Sequence, residues 1–347
     1  MTAVVRCQLL ALCAMLIAAH VVPAQQCSIT SGSVALRNLV PPGDPLAKHD
    51  LTFDPTFAGQ AIQYLRSNDP DLFTRMANSP AIAHILSHAR NFDYDVPKDS
   101  PEALVTTLLD PKDKQPARSA LCEQSIRYFC GPMLEDPHWV ADALRYLPVD
   151  FRFRGTLFLT FGYDIGVAFS PNASLNCTAS HFDNHPRELL YYAIHELHHV
   201  GFMTYQKPPK LADIKTSADL LKLIEYSTQL EGMAVFAAYQ RRCDDHALTD
   251  DADYVALEDQ KRMQADLVSY FKDYDYLKSR GTQPVDADAW AVMHRMSSGE
   301  RLWYRVGAHM AQRIEAAKGR AALVELVKQG PAQFIATYQS VSPKAGH

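Results

Sequence analysis

The sequence predicts an α+β fold that is mostly helical, with a helical N-terminal region ahead of a core built on one short strand-forming stretch. Three observations lead there. Helix-start and helix-stop residues recur through most of the 347 residues. One segment, residues 154–177, concentrates β-branched and aromatic residues among Gly and Pro-Asn turn signals. Directly after it comes a helical stretch, "YYAIHELHHVGF" at residues 191–202, that carries three histidines and a glutamate in an apolar run.

Residues 1–24 read as a signal peptide. Arg6 gives a positive start, "LLALCAMLIAAHVV" an apolar middle, and "VPA" before Gln25 the small residues that a signal peptidase reads. The expected location is therefore secreted or periplasmic. No later segment is long and apolar enough to span a bilayer. Residues 25–150 form the helical N-terminal region. It opens with an irregular Pro- and Gly-rich lead-in to about residue 50, and helices broken by Pro-containing turns follow. In "SPAIAHILSHAR", Ser79 is the expected N-cap and Pro80 the first helical residue.

Residues 151–347 hold the strands and the remaining helices. "RGTLFLTFGYDIGVAFSPNASLNC" reads as strands, a hairpin or an edge ribbon, with "GTLFLTF" expected to border a cleft. In the histidine helix, Pro186 suits the first turn, Glu188 suits the positive end of the helix dipole, and Gly201 suits the stop. A long helix follows, opened by Thr216 and Asp219 as a capping pair. "DYVALEDQKRMQADLVSYFKDYDYL" reads as one helix. Ser297 and Glu300 read as a second capping box, for a helix running to Gly319, and a last helix is expected to end at Gly330-Pro331.

Composition narrows the function classes. Hydrophobic residues make up 47% and charged residues 21%, with a formal net charge of -5. That balance offers no basic footprint for nucleic acid or an anionic membrane. Without Cys7 and Cys13 of the signal, five cysteines remain, Cys27, Cys122, Cys130, Cys177 and Cys243. An odd number leaves a free thiol or an intermolecular bond. Cys122 and Cys130 are near enough in sequence to pair, but connectivity stays open. No cysteine has zinc-finger spacing. Asn172 and Asn176 head glycosylation sequons.

His195, Glu196, Leu197, His198 and His199 form an H-E-x-x-H motif. Residues four apart stand on one helix face, so His195 and His199 can offer ring nitrogens to one metal ion. Glu196 sits beside that face, where a carboxylate can take a proton from an activated water. His198 is off the shared face and reads as a supporting or surface residue. A catalytic zinc wants a third protein ligand and an open position. Phe202 stands where the metzincin pattern requires Gly, which excludes that class. Glu231 in "QLEGMAVFAAY" is the better candidate, because an unpaired carboxylate among apolar residues is costly to bury unless it meets a cation. Gly232 and Ala234 would let its helix approach the histidine helix. Glu225, beside Lys222, reads as a solvated face. His84 and His88 are also four apart but lack the Glu, and read as structural. His181 and His185 read as loop residues near the cleft.

"HELHH" followed one long helix later by "EGMA" resembles the gluzincin zinc peptidases. The resemblance implies a zincin-like catalytic core, His195, His199 and Glu231 as ligands of one zinc ion per chain, and Glu196 as general base. "WYRVGAHMAQRIEAAKGRAALVELVKQGPAQFIATYQ" is similar to the Tyr-x-x-Gly helix of zinc aminopeptidases, where the matching tyrosine stabilises the transition state. Tyr304, Gly307, Ala308 and Ala311 fall on one stripe of that helix. As a core residue instead, Tyr304 would give its hydroxyl to backbone. The layout looks most like a family of uncharacterised, mainly bacterial, zinc-dependent peptidases. Three features depart from the aminopeptidases: the Gly-, Met- and Asn-rich exopeptidase signature is absent, Leu230 replaces the Asn before the ligand Glu, and the gap from His199 to Glu231 is longer than in the best-known gluzincins. The expected activity is hydrolysis of a peptide or protein substrate. The alternatives are a zinc hydrolase of non-peptide amides or esters and a metal-stabilised binding protein without turnover.

Overall fold

The computed structural model describes residues 32–110 and 115–342. The signal-peptide reading of residues 1–24 lies outside the described residues. The architecture is α+β and mostly helical, with one five-stranded sheet among the described residues. Its strands are β1 (Val34–Ala35), β2 (Asp50–Asp54), β3 (Arg154–Thr160), β4 (Gly166–Phe169) and β5 (Asn172–Asn176), in the order β1-β2-β3-β5-β4. β3 runs parallel to both β2 and β5, while β1 and β4 close the two edges antiparallel.

The lead-in is thus not wholly irregular. "DLTFD" is a strand with alternating burial, in which Leu51 and Phe53 point into the core. Five residues with acidic ends give too short a signal to separate from a loop by pattern alone. "GTLFLTF" also takes a different place from the expected one. β3 lies inside the sheet with β2 and β5 on either side, so its backbone groups are already paired, and the edge position on the far side of the hairpin belongs to β4. Leu157, Phe158 and Leu159 are consecutive and buried, which requires cover on both faces of the sheet.

Between β2 and β3 run α1 (Thr56–Ser67), α2 (Pro70–Ala77), α3 (Pro80–Asn91), α4 (Pro101–Leu108), α5 (Gln115–Cys130), α6 (Pro132–Glu135) and α7 (Val140–Leu144). One device starts three of them. Asp69, Ser79 and Ser100 cap α2, α3 and α4 with a side-chain oxygen, and proline fills the first turn of each. This helical stretch is fastened to the strands covalently, since Cys122 pairs with Cys177 and not with Cys130. Cys130 is itself disulfide-bonded, and Cys243 is the free thiol that the odd count required. The sequon asparagines serve the sheet. Asn172 Oδ1 accepts from Thr156 N at 2.9 Å, and buried Asn176 Oδ1 accepts from Gly162 N at 2.8 Å and Thr178 N at 2.9 Å.

After the hairpin come α8 (Glu188–Tyr205), α9 (Ser217–Asp244), α10 (Ala252–Glu258), α11 (Gln260–Arg280), α12 (Ala287–His294), α13 (Leu302–Lys318), α14 (Arg320–Gln329) and α15 (Pro331–Val341). The Thr216–Asp219 capping box opens α9 as expected. Four boundaries differ from the sequence reading. Gly201 lies inside α8, where a Cβ would stand 2.0 Å from Leu147 Cδ1; it admits a neighbour and does not stop the helix. The stretch 252–280 breaks at Asp259, whose carboxylate caps α11 by accepting from Lys261 N and Arg262 N. Ser297 and Glu300 form no capping box. α12 continues into a π-helical turn over Arg295–Gly299, and α13 starts behind Arg301 in the left-handed region. Gly330-Pro331 divides two helices, with Pro331 opening α15.

One buried cluster runs from Leu36 to Tyr338 and joins the N-terminal helices, the sheet and the C-terminal helices. α8 packs along β4 and β5 and against α9. α13 crosses α9 with backbones in direct contact: a Cβ on Gly232 would fall 2.2 Å from Gly307 C, and one on Gly307 would fall 2.2 Å from Thr228 O. Gly232 therefore admits α13, not the histidine helix, because the small residues of α9 and α13 face each other. No helix among the described residues is long and apolar enough to cross a membrane.

Candidate metal centre

α8 carries the histidines between two fixed points. At its start, buried Glu188 binds Arg242 of α9 through both guanidinium nitrogens, at 2.7 Å on one side. That pair locks the α8–α9 register, a larger task than dipole complementarity. Midway, His198 is fully buried and its Nδ1 lies 3.1 Å from Ala143 O. It is neither on the surface nor among the candidate ligands, and it ties α8 to α7.

The other two motif histidines turn towards α9. His195 Nε2 lies 3.2 Å and His199 Nε2 3.1 Å from a single oxygen, Oε2 of Glu231. One ligand atom from each of the three residues lies within 4.8 Å of the others. Ligands about 2.0–2.2 Å from one tetrahedral centre stand about 3.3 Å apart, so the two measured separations suit the edges of such a coordination shell. The donor set, two imidazole nitrogens and one carboxylate oxygen, is one that zinc takes. The side chains of His195, His199 and Glu231 are only 15%, 7% and 17% exposed, which leaves a narrow solvent approach.

The three groups interact electrostatically, and Glu231 raises the His199 imidazole against the effect of burial. Burial alone would raise the Glu231 carboxyl, but the charges and hydrogen bonds of His199 and His195 outweigh it and hold Glu231 well below the usual range. Burial lowers His195 towards the neutral imidazole, the form with a free lone pair. For Glu196 burial dominates instead. Burial pushes its carboxyl up to about 8, opposed by His199 and reinforced by Glu231 and Asp164. Its side chain lies over β4, and a Cβ on Gly166 would meet Glu196 Oε1 at 2.7 Å.

Tyr304 stands at the first turn of α13, one turn before the Gly307–Gly232 crossing. That crossing brings it beside the Glu231 end of the site. Burial raises its phenol, and the charges of Glu231 and Glu196 add to the effect while Arg301 opposes it. The Arg301 guanidinium lies over the Tyr304 ring, 3.8 Å from its centroid.

The remaining candidates lie elsewhere. His88 Nδ1 meets Tyr163 Oη at 3.0 Å, and His84 packs on Phe158, so both histidines are buried structural residues of α3. His181 and His185 are exposed in the loop before α8, His181 against the Tyr192 ring. Glu225 is half-buried and accepts from Tyr274 Oη at 2.6 Å, so it is not a freely solvated face. Sequence reasoning missed two groups near the site. Asp164 lies two residues from Gly166 and accepts from Tyr94 Oη at 2.7 Å. Arg301 is held by Asp253, 48 residues away. Neither carries a local motif, so only the fold brings them in. An open hollow lined by Asp54, Phe57, Gln60 and Arg75 shares no residue with this centre.

The chain belongs to the family described as "Putative zinc dependent peptidase (DUF5700)", whose family model matches residues 138–345. The match takes in β3 to β5, α8, α9 and α13, and with them every residue of the centre. No curated protein and no solved structure matches the chain.

Proposed function

We propose that the chain is an exported zinc peptidase in which His195, His199 and Glu231 hold one zinc ion, Glu196 is the general base and Tyr304 donates to the substrate oxyanion. The observation that carries this reading is the convergence of two imidazole Nε2 atoms on one half-buried carboxylate oxygen, with the buried carboxylate of Glu196 on the histidine helix beside them. Bound zinc would supply Lewis acidity and bring the pKa of a water down to about 7. Glu196 accepts the proton of the attacking water and passes it to the leaving amine. The Tyr304 hydroxyl donates to the carbonyl oxygen as negative charge builds there. Gly166 keeps the β4 backbone close over Glu196, so an extended peptide adding to the edge of β4 would pass directly across the base.

Export is supported by the apolar N-terminal segment and by the Cys122–Cys177 disulfide, a bond that persists in oxidising compartments. The test is metal analysis of the purified mature protein together with a peptide-library digest. One zinc per chain and cleavage that chelation abolishes are expected. Stoichiometric zinc with no cleaved peptide would overturn the peptidase reading in favour of another substrate class.

A further inference from the structure

We propose that Arg301, anchored by the buried carboxylate of Asp253, is the positioning residue for the Tyr304 side chain. This rests on the reading of Tyr304 as the oxyanion donor only for its effect on turnover; the placement itself is a separate claim.

Arg301 precedes α13 at φ 55° and ψ 38°, in the left-handed region. For a long side chain that conformation is uncommon. Its carbonyl accepts from Tyr304 N at 3.2 Å and Arg305 N at 3.3 Å at the start of α13, while its side chain makes no cap there. Glycine or asparagine would take the same backbone more easily. The Arg301 side chain reaches from the head of α13 to Asp253 of α10. Its guanidinium donates to Asp253 from Nε at 2.9 Å and from Nη2 at 2.8 Å, a forked pair with one carboxylate. Asp253 is 5% exposed and also accepts from Arg305 Nε at 2.8 Å. The anchor is therefore rigid, and the guanidinium plane has little freedom left.

With its edge fixed to Asp253, the guanidinium meets the Tyr304 ring 3.8 Å from the centroid, at van der Waals contact and in cation–π geometry. Trp303 lies against the same ring, with centroids 6.2 Å apart. The Trp303 indole also bears on the Tyr304 hydroxyl, so neighbours act on both the face and the polar end of the ring. The cation lies close enough to Glu231 and His195 for its charge to bear on both. A planar cation clamped to a buried carboxylate thus sets the ring angle of the Tyr304 phenol. Lysine could carry the charge but not the forked bond and the flat face together.

The test combines an activity-independent readout with a mutant cycle. Tyrosines are labelled with 3-fluorotyrosine, and the Tyr304 fluorine resonance is assigned by its loss in Tyr304→Phe. Arg301→Met should shift and broaden that resonance, and Arg301→Lys should not restore it. A Tyr304 resonance unchanged by Arg301→Met would overturn the inference, whatever the activity. On a peptide that the wild type cleaves, Arg301→Met should lower kcat about 10- to 100-fold with KM nearly unchanged, and less than twofold in the Tyr304→Phe background. An equal loss in both backgrounds would mean that Arg301 does not act through Tyr304, and the proposal falls. If Tyr304→Phe alone leaves kcat unchanged, the oxyanion reading fails, while the resonance still decides the placement. Asp253→Asn, which keeps the shape but weakens the anchor, should reproduce a partial shift where Arg301→Met proves unstable.

Discussion

Gly307→Ala tests how α13 brings Tyr304 to the metal centre. The added Cβ would fall 2.2 Å from Thr228 O and 2.8 Å from Gly232 Cα, both backbone atoms of α9. No rotamer change relieves a backbone clash, so the two helices must part by about 1 Å to restore ordinary contact. Overpacking of this kind costs about 1–3 kcal/mol, a fall in Tm of roughly 1–4 °C for a chain of this size. The same displacement carries Tyr304 away from Glu231, which adjoins Gly232 in sequence. A misplacement near 1 Å at a reacting group lowers turnover about 100-fold. Zinc content should stay at the wild-type level, because His195, His199 and Glu231 lie on α8 and α9 and α13 supplies no ligand. The assay is kcat on a cleaved library peptide, with Tm by calorimetry and metal by elemental analysis. A fall in Tm with kcat unchanged would refute the argument that the crossing positions the tyrosine. A Tm unchanged from wild type would refute the close crossing itself.

Four further outcomes are expected. His195→Ala and Glu231→Ala should each lose most bound zinc by elemental analysis, whereas full occupancy in both would remove the donor set from consideration. Glu196→Gln should keep zinc and folding yet lose about 100- to 10,000-fold in kcat; loss of zinc instead would make Glu196 a ligand. Tyr304→Phe should lower kcat about 10- to 1,000-fold with zinc and Tm nearly unchanged. The fourth concerns pH. Hydrogen bonds that His138 donates to Asp136 and then to Asp44 raise it above its usual 6.5, so its contribution to stability is fully present below that pH and lost as pH rises through the folded value. Both carboxyls are lowered, Asp136 chiefly by its bond to His138 and Asp44 chiefly by the backbone N–H of Leu46, so their side of the interaction is lost on acidification below the carboxylate range. The Tm difference between wild type and His138→Gln should therefore peak at mildly acidic pH and shrink above neutrality, and a difference that grows with pH would contradict it.

The sequence by itself determined whatever depends on residues close together along the chain. Four-residue spacing puts His195 and His199 on one helix face whatever surrounds them, and Glu196 must then sit beside that face. Ser79 with Pro80 and Thr216 with Asp219 start helices through bonds that span three residues. Glu231 was legible because a carboxylate among apolar neighbours demands a partner, and the partner turned out to be the histidine pair. Other features were decided only by the tertiary structure. Cys122 bonds to Cys177 because the fold lays α5 beside the end of β5, a proximity that sequence separation conceals. Gly201 and Gly232 read as a helix stop and as room for the histidine helix, yet they make way for Leu147 and for α13, since a missing Cβ does not say what will fill its space. β3 became an interior strand only when "DLTFD", a hundred residues earlier, paired with it and left the edge position to β4. The setting of Tyr304 is the clearest case. Its stripe of small residues was visible, but Arg301 and Asp253 are joined by an ion pair across 48 residues, and no local pattern encodes a contact made only when distant helices pack.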